Sequence, residues 1–174
     1  MNSDVATHVE SFVRLYRDSA PEGWVRLVTW VAFLADDDGS VSRSGWTTRE
    51  IAIVQHGDGP DALEGVQWRP DSQAGFEIQD LDEKLAGEPE EGWTILRVVI
   101  DRDGTYSADF SHESARPWED AATDPFFDDV RDYLERNREE VEALVERLRE
   151  QGDLPGSGGE SRGAGRLGRL FGRQ

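Results

Sequence analysis

Carboxylates stand directly before a glycine at two places where they could bind a cation. One is the run Asp36-Asp37-Asp38 before Gly39, and the other is Asp101-Arg102-Asp103 before Gly104. An EF-hand loop needs oxygen ligands at positions 1, 3 and 5 and glycine at position 6. Gly104 falls at position 4, and Leu34 supplies no oxygen two residues before Asp36. Both runs are therefore predicted to be hairpin turns, because Asp-Gly pairs favour the positive φ that such turns require.

The histidines are the next candidates for metal or acid–base chemistry. His8, His56 and His112 lie far apart, and none has a partner at a metal-ligand spacing such as His-x-x-x-His. His112 and Glu113 could join Asp109 in a site, but neighbouring strand residues point to opposite faces. We predict that each histidine is a surface or structural residue and that the chain holds no metal.

Other catalytic patterns are incomplete. The chain has no cysteine, which excludes disulfides, thiolate nucleophiles and cysteine zinc sites. Gly57-Asp58-Gly59-Pro60 is not followed by the Lys-Ser/Thr of a phosphate-binding loop, and no serine nucleophile elbow is present. The sequence therefore predicts a protein that is not an enzyme, with no catalytic residues and no cofactor.

Net charge indicates the class of partner. The chain has 37 acidic and 19 basic residues, for a net charge of −18. Residues 156–174 hold four arginines against one glutamate, or +3, which leaves −21 on the preceding residues. Such a surface repels nucleic acid and anionic lipid and favours a cationic protein. An alternative explanation is that the charge serves solubility alone.

Periodicity predicts the elements that position these residues. Helical spacing indicates helices over 4–19 and 78–85, while β-branched and aromatic residues indicate strands over 24–34, 46–55, 93–100 and 105–110. Residues 56–75 read as a loop that holds one short helical or strand piece near 63–68. The predicted fold is α+β, a mainly antiparallel sheet of about four to five strands with an N-terminal helix, a short middle helix and a long C-terminal helix packed on it.

The C-terminal helix has the strongest signal. Asp124 is a candidate N-cap and Pro125 suits the first helical position. From Phe127 to Leu148, apolar residues follow an unbroken 3-4 spacing in which Asn137 is the polar member. We favour a helix that lies on the sheet, with a coiled-coil seam as the alternative.

Composition sets the domain limits. Residues 1–152 are predicted to form one acidic domain, and 153–174 a flexible Gly/Arg-rich basic tail. No run approaches the ~20 apolar residues of a membrane span. The start of the chain lacks the pattern of a signal peptide, so we predict a cytoplasmic protein.

Four features together resemble the YezG-like bacterial immunity proteins over about residues 10–150. They are the opening helix, Pro21-Glu22-Gly23-Trp24 before an apolar strand, Trp93-Thr94 at the start of a later strand, and the run from Asp103 to Phe110 before a long terminal helix. The chain departs from the family pattern at Ser111-His112-Glu113, where an aromatic-rich run is expected.

The resemblance implies an antitoxin that neutralises a cationic toxin domain, such as a nuclease, by covering it. The carboxylates of the two turns and of one later loop are the candidate contacts: Asp36, Asp37, Asp38, Asp101, Asp103, Glu113, Glu119 and Asp120. The alternative is a cytoplasmic adaptor or secretion chaperone that docks a partner or membrane through Leu167, Leu170 and Phe171 of the tail.

Overall fold

A computed structural model of the chain describes residues 3–57, 62–85, 93–112, 115 and 132–154. The elements in chain order are α1 (Ser3–Asp18), β1 (Trp24–Ala35), β2 (Val41–Gln55), β3 (Leu63–Val66), α2 (Ala74–Leu85), β4 (Ile95–Asp101), β5 (Tyr106–Ser111), α3 (Tyr133–Arg136) and α4 (Arg138–Gln151). The predicted α+β class is confirmed.

The central strand of the sheet is β1. The five strands lie in the order β3-β2-β1-β4-β5, and each neighbouring pair is antiparallel. All residues of β1 between its two ends are buried. This burial on both faces explains why the sequence of β1 is mostly apolar rather than alternating, because a strand with one wet face would alternate.

Each face of the sheet carries its own helical layer. On one face, Phe12 and Tyr16 of α1 and Leu81 of α2 pack against Leu27 and Leu96. The opposite face carries α3 and α4, whose core residues join those of the sheet: Val28, Trp30, Ile53, Tyr133, Val141, Leu144 and Leu148. The sheet and the helices thus form a three-layer unit.

The C-terminal helix departs from the prediction at one position. Asn137 has φ −110° and ψ 18°, which ends α3 and separates it from α4. The carbonyl of Tyr133 accepts from the Asn137 side chain at 2.8 Å and also from the Asn137 backbone N–H at 3.0 Å. The predicted long C-terminal helix is thus interrupted at Asn137, and the predicted start at Asp124 and Pro125 lies outside the described residues.

The apolar stripe of α4 is covered within the chain. Val141, Leu144 and Leu148 are fully buried against the sheet. The prediction of a helix packed on the sheet is confirmed, and a coiled-coil partner is not needed to bury this stripe.

Two other boundaries differ from the predicted ones by more than two residues. Strand β2 begins at Val41, because Ala35 and Val41 already pair directly across the first turn. Helix α2 begins at Ala74, after a turn in which the Asp71 side chain accepts from the Gln73 N–H at 2.8 Å. None of the helices in the described part of the chain is long and apolar enough to cross a membrane.

Candidate functional site

The β1–β2 turn holds three predicted contact residues on the surface. Asp36, Asp37 and Asp38 are exposed, and Gly39 adopts φ 82°. The turn is closed by two backbone hydrogen bonds of 2.8 Å, from Asp36 N–H to the Ser40 carbonyl and from Gly39 N–H to the Asp36 carbonyl. The prediction of a hairpin turn at Asp-Gly is therefore confirmed here, and the carboxylates stand on a closed backbone.

Hydrogen bonds favour the charged form of Asp38. Hydrogen bonds from the side chain and backbone N–H of Ser40 hold the pKa of Asp38 below its ordinary value, and the Ser40 N–H lies 2.9 Å from the Asp38 Oδ1. Among the side chains that the structure describes, no lysine, arginine or histidine forms an ion pair with Asp36, Asp37 or Asp38. The turn therefore presents negative charge outward.

An open groove of about 560 Å³ lies beside the turn. Its apolar wall is formed by Leu34 and Ala35, and its other lining residues are Ser42, Gly45 and the three aspartates. A register shift builds the groove, because Phe33 pairs with Trp46 whereas Leu34 pairs with Ser42. The residues between these two pairs bulge out of β2 and reshape the end of the hairpin.

Asp101 has a structural role within the fold. It is 7 % exposed, and its two oxygens accept from Arg26 Nε at 2.6 Å and Nη2 at 2.9 Å. The two residues are directly opposite in the β1–β4 register. Both oxygens of this carboxylate are engaged in an internal bidentate ion pair, so Asp101 is not part of the proposed contact surface.

Asp103 also forms hydrogen bonds with other residues of the chain. It accepts from the Thr105 hydroxyl at 2.7 Å and from Arg147 Nη2 at 3.3 Å. Partial burial acts to raise the pKa of Asp103, but the hydrogen bonds from Thr105 and the charge of Arg147 outweigh it and lower the pKa. The β4–β5 turn thus fastens α4 to the sheet.

The two acidic turns lie at opposite ends of the sheet. Ala32 pairs with Ile95 and Arg26 pairs with Asp101, so β4 enters beside the β1–β2 turn and leaves at the far end of β1. A strand of 12 residues spans about 40 Å at ~3.3 Å per residue. One compact contact surface cannot include both turns. Glu113, Glu119 and Asp120 lie outside the described residues.

Two further grooves differ from the first in charge. One of about 460 Å³ between α1 and the β4–β5 turn is lined by Glu10, Asp18, Arg14 and Arg17, which balance. The largest of the three, about 840 Å³, lies between β2 and residues 67–75. The charges of its lining residues also cancel, because it has two arginines and two acidic residues: Arg49, Arg69, Glu50 and Asp71. Among the described lining residues of these three grooves, those at the β1–β2 turn alone carry a single sign of charge.

Glu50 is the perturbed carboxyl of the largest groove. Burial raises the pKa of Glu50 and outweighs the hydrogen bond from Thr48 and the charges of Arg49 and Arg69. Burial also raises the pKa of Tyr16, and the charge of Glu50 adds to that effect. The Tyr16 and Thr29 hydroxyls are hydrogen-bonded at 3.2 Å. Glu50 therefore lies against a polar pair beneath α1.

A set of potential metal ligands joins α1 to α2. His8, Glu77 and Asp80 offer ligand atoms that all lie within 4.8 Å of one another. Glu77 and Asp80 are three residues apart on α2, so they share a face. The sequence could not indicate this group, because His8 and Glu77 are 69 residues apart.

No protein-family model matches this chain, and no curated protein matches it. The resemblance to YezG-like immunity proteins stays a prediction that rests on the residues quoted for it.

Proposed function

We propose that this chain is a protein-binding domain that recognises a cationic partner through the acidic end of its sheet. This surface, the β1–β2 end, comprises Asp36, Asp37 and Asp38 together with the groove they line. In keeping with the resemblance of the sequence, we propose a toxin domain as the partner and neutralisation by covering as the role. The proposal therefore takes the chain as an immunity protein.

The unbalanced charge of this groove is the observation that carries the proposal. Exposed carboxylates that surround an open groove provide acceptors for an arginine or lysine side chain, and Leu34 and Ala35 offer apolar contact to its methylene groups. The other acidic turn is satisfied internally by Arg26 and Arg147. At the β1–β2 end, in contrast, none of the described cationic side chains pairs with the three aspartates, and we propose that their charge is available to a partner.

The preformed turn supports rapid and tight association. Because the turn is closed by its own backbone bonds, little conformational entropy is lost when a partner binds. The net charge of −18 accelerates encounter with a cationic protein by long-range attraction. Neutralisation then requires only that the bound domain cover the cationic active site of the toxin.

The first experiment identifies the partner and its toxicity. The full chain is immobilised and used to capture proteins, at low salt, from cells that naturally produce it, and each captured protein is cloned. We expect a basic domain that arrests growth when expressed alone and that is tolerated when this chain is co-expressed. A captured partner that is acidic, or one whose expression is harmless, contradicts the immunity proposal.

The tail provides an internal check on the alternative of a tail-docked adaptor. Deletion of residues 156–174 removes the four arginines of the tail but leaves the β1–β2 end intact. We expect this shortened chain to capture the same partner and to rescue growth as well as the full chain does. Loss of capture on this deletion assigns binding to the tail and overturns the proposed surface.

A further inference from the structure

His8, Glu77 and Asp80 bring one imidazole and two carboxylates together across the outer helical layer. His8 Nδ1 lies 3.1 Å from Glu77 Oε2, and all three residues offer ligand atoms within 4.8 Å of one another. Donor atoms bound to one zinc ion at about 2.0–2.2 Å lie roughly 3–3.5 Å apart. The His8–Glu77 separation already has that value, and a carboxylate oxygen of the exposed Asp80 lies within 4.8 Å of both ligand atoms.

A neighbouring hydroxyl orients the central carboxylate. Ser11 lies one turn after His8 on α1, and its hydroxyl donates to Glu77 Oε1 at 2.7 Å. This contact leaves Glu77 Oε2 directed at His8. Metal-binding carboxylates are commonly held by such an outer hydrogen bond, which fixes their geometry before the ion arrives.

A second histidine–glutamate pair in the same chain offers a comparison. His56 Nε2 and Glu64 Oε2 are also 3.1 Å apart, with exposed side-chain fractions of 59 % and 62 %. The corresponding fractions for His8 and Glu77 are 24 % and 21 %. Within the described part of the chain, no third metal-ligand residue joins the His56 pair, whereas Asp80 joins the His8 pair.

We propose that His8, Glu77 and Asp80 bind a divalent transition-metal ion, with Zn²⁺ as the preferred ion. A nitrogen and two carboxylate oxygens suit zinc, whereas magnesium and calcium prefer all-oxygen sites. The two carboxylates neutralise the charge of the ion, and a fourth coordination position stays open to water or to a partner's side chain. The ion links α1 to α2 and is independent of the acidic β1–β2 end.

The test is calorimetric titration of the metal-stripped full chain with zinc chloride, with magnesium chloride as the comparison ion. We expect one zinc to bind per chain, no binding of magnesium at the same concentrations, and a higher unfolding temperature with zinc. His8→Ala and Asp80→Asn should each weaken zinc binding by at least about ten-fold. Ser11→Ala, which removes no ligand, should weaken it by about ten-fold through loss of orientation.

Matched variants exclude binding elsewhere on an acidic surface. His56→Ala removes the comparison imidazole, and Glu10→Gln removes an exposed carboxylate of α1 that does not share the His8 face. Both should bind zinc as the unaltered chain does. Asp80 is exposed, so Asp80→Asn keeps the fold, and circular dichroism verifies this. Absence of zinc binding, or binding that survives His8→Ala and Asp80→Asn, overturns the proposal.

Discussion

Arg26 shows how a single residue connects the sheet to the C-terminal helix. It is 3 % exposed, forms a bidentate ion pair with Asp101, and donates from Nη1 to Glu140 Oε1 at 2.7 Å. Burial alone would lower the pKa of Arg26, but the hydrogen bond to Asp101 and the nearby charges raise it. The guanidinium therefore stays charged, and the fold depends on its acidic neighbours.

Removal of Arg26 should destabilise the protein strongly. In Arg26→Ala, Asp101 is left as a buried carboxylate without its cation, which costs about 3–5 kcal/mol. We expect that the double change Arg26→Met with Asp101→Leu recovers much of this loss, because no buried charge remains unpaired. Urea unfolding measures both variants.

A surface pair supplies the control for this experiment. Among the described residues, Arg138 forms only an exposed contact of 3.8 Å with Glu142, so Arg138→Ala should change the free energy of unfolding by less than about 1 kcal/mol. If Arg26→Ala lowers the free energy of unfolding no more than Arg138→Ala does, the buried ion pair does not stabilise the fold.

Glu50 gives a second prediction at this scale, with a defined pH dependence. The folded-state pKa of Glu50 is raised by burial, so the folded chain holds this proton more tightly than the unfolded chain does. The contribution of Glu50 to stability therefore falls as pH rises from its unfolded pKa of about 4.3 through its higher folded pKa. Glu50→Gln should be more stable than the unaltered chain near pH 7.

The measurement is the pH dependence of the difference in free energy of unfolding between Glu50→Gln and the unaltered chain. Urea unfolding of both chains between about pH 4 and pH 7.5 should show the gain from Glu50→Gln growing with pH and then levelling. A constant difference at all pH values, or a loss of stability that grows with pH, contradicts a raised pKa at Glu50.

At the scale of elements, features that depend on adjacent residues could be predicted from the sequence, whereas contacts between distant residues could not. The hairpin around Gly104 was predictable because Asp-Gly chemistry is local, and the glycine indeed adopts φ 95°. The break at Asn137 was not predictable, since the apolar spacing continues through it and the break shows only in the backbone angles of Asn137. The Arg26–Asp101 pair and the His8 group join residues more than 65 positions apart, which no spacing rule detects.

The packing of α4 on the sheet is testable through Leu144. Its side chain is fully buried in the second core, so Leu144→Ala should lower the free energy of unfolding by about 2–5 kcal/mol. Phe76→Ala is the control, because Phe76 is 67 % exposed and should cost less than about 0.5 kcal/mol. Equal effects of the two changes, measured by thermal or urea unfolding, contradict the placement of α4.

Across the whole molecule, the acidic side chains at one end of the sheet form ion pairs within the chain, whereas those at the other end are exposed. Asp101 and Asp103 at one end of the sheet are paired with Arg26 and Arg147. At the other end, about 40 Å away along β1, the three aspartates of the β1–β2 turn line an open groove. The sequence indicated both turns but could not distinguish their roles, because the pairing cations come from distant elements.

The affinity for the captured partner, obtained from its association and dissociation rates, tests the proposed surface most directly. Stopped-flow or surface-based kinetics would compare the unaltered chain with Asp36→Asn, Asp37→Asn and Asp38→Asn combined, over a range of salt concentrations. The control combines Glu135→Gln, Glu139→Gln and Glu150→Gln, three exposed residues of α3 and α4, which remove the same charge elsewhere. We expect the aspartate variant to bind at least ten-fold more weakly with a reduced salt dependence, and the control to change affinity by less than about three-fold. Equal affinities for the two variants would contradict recognition at the β1–β2 end.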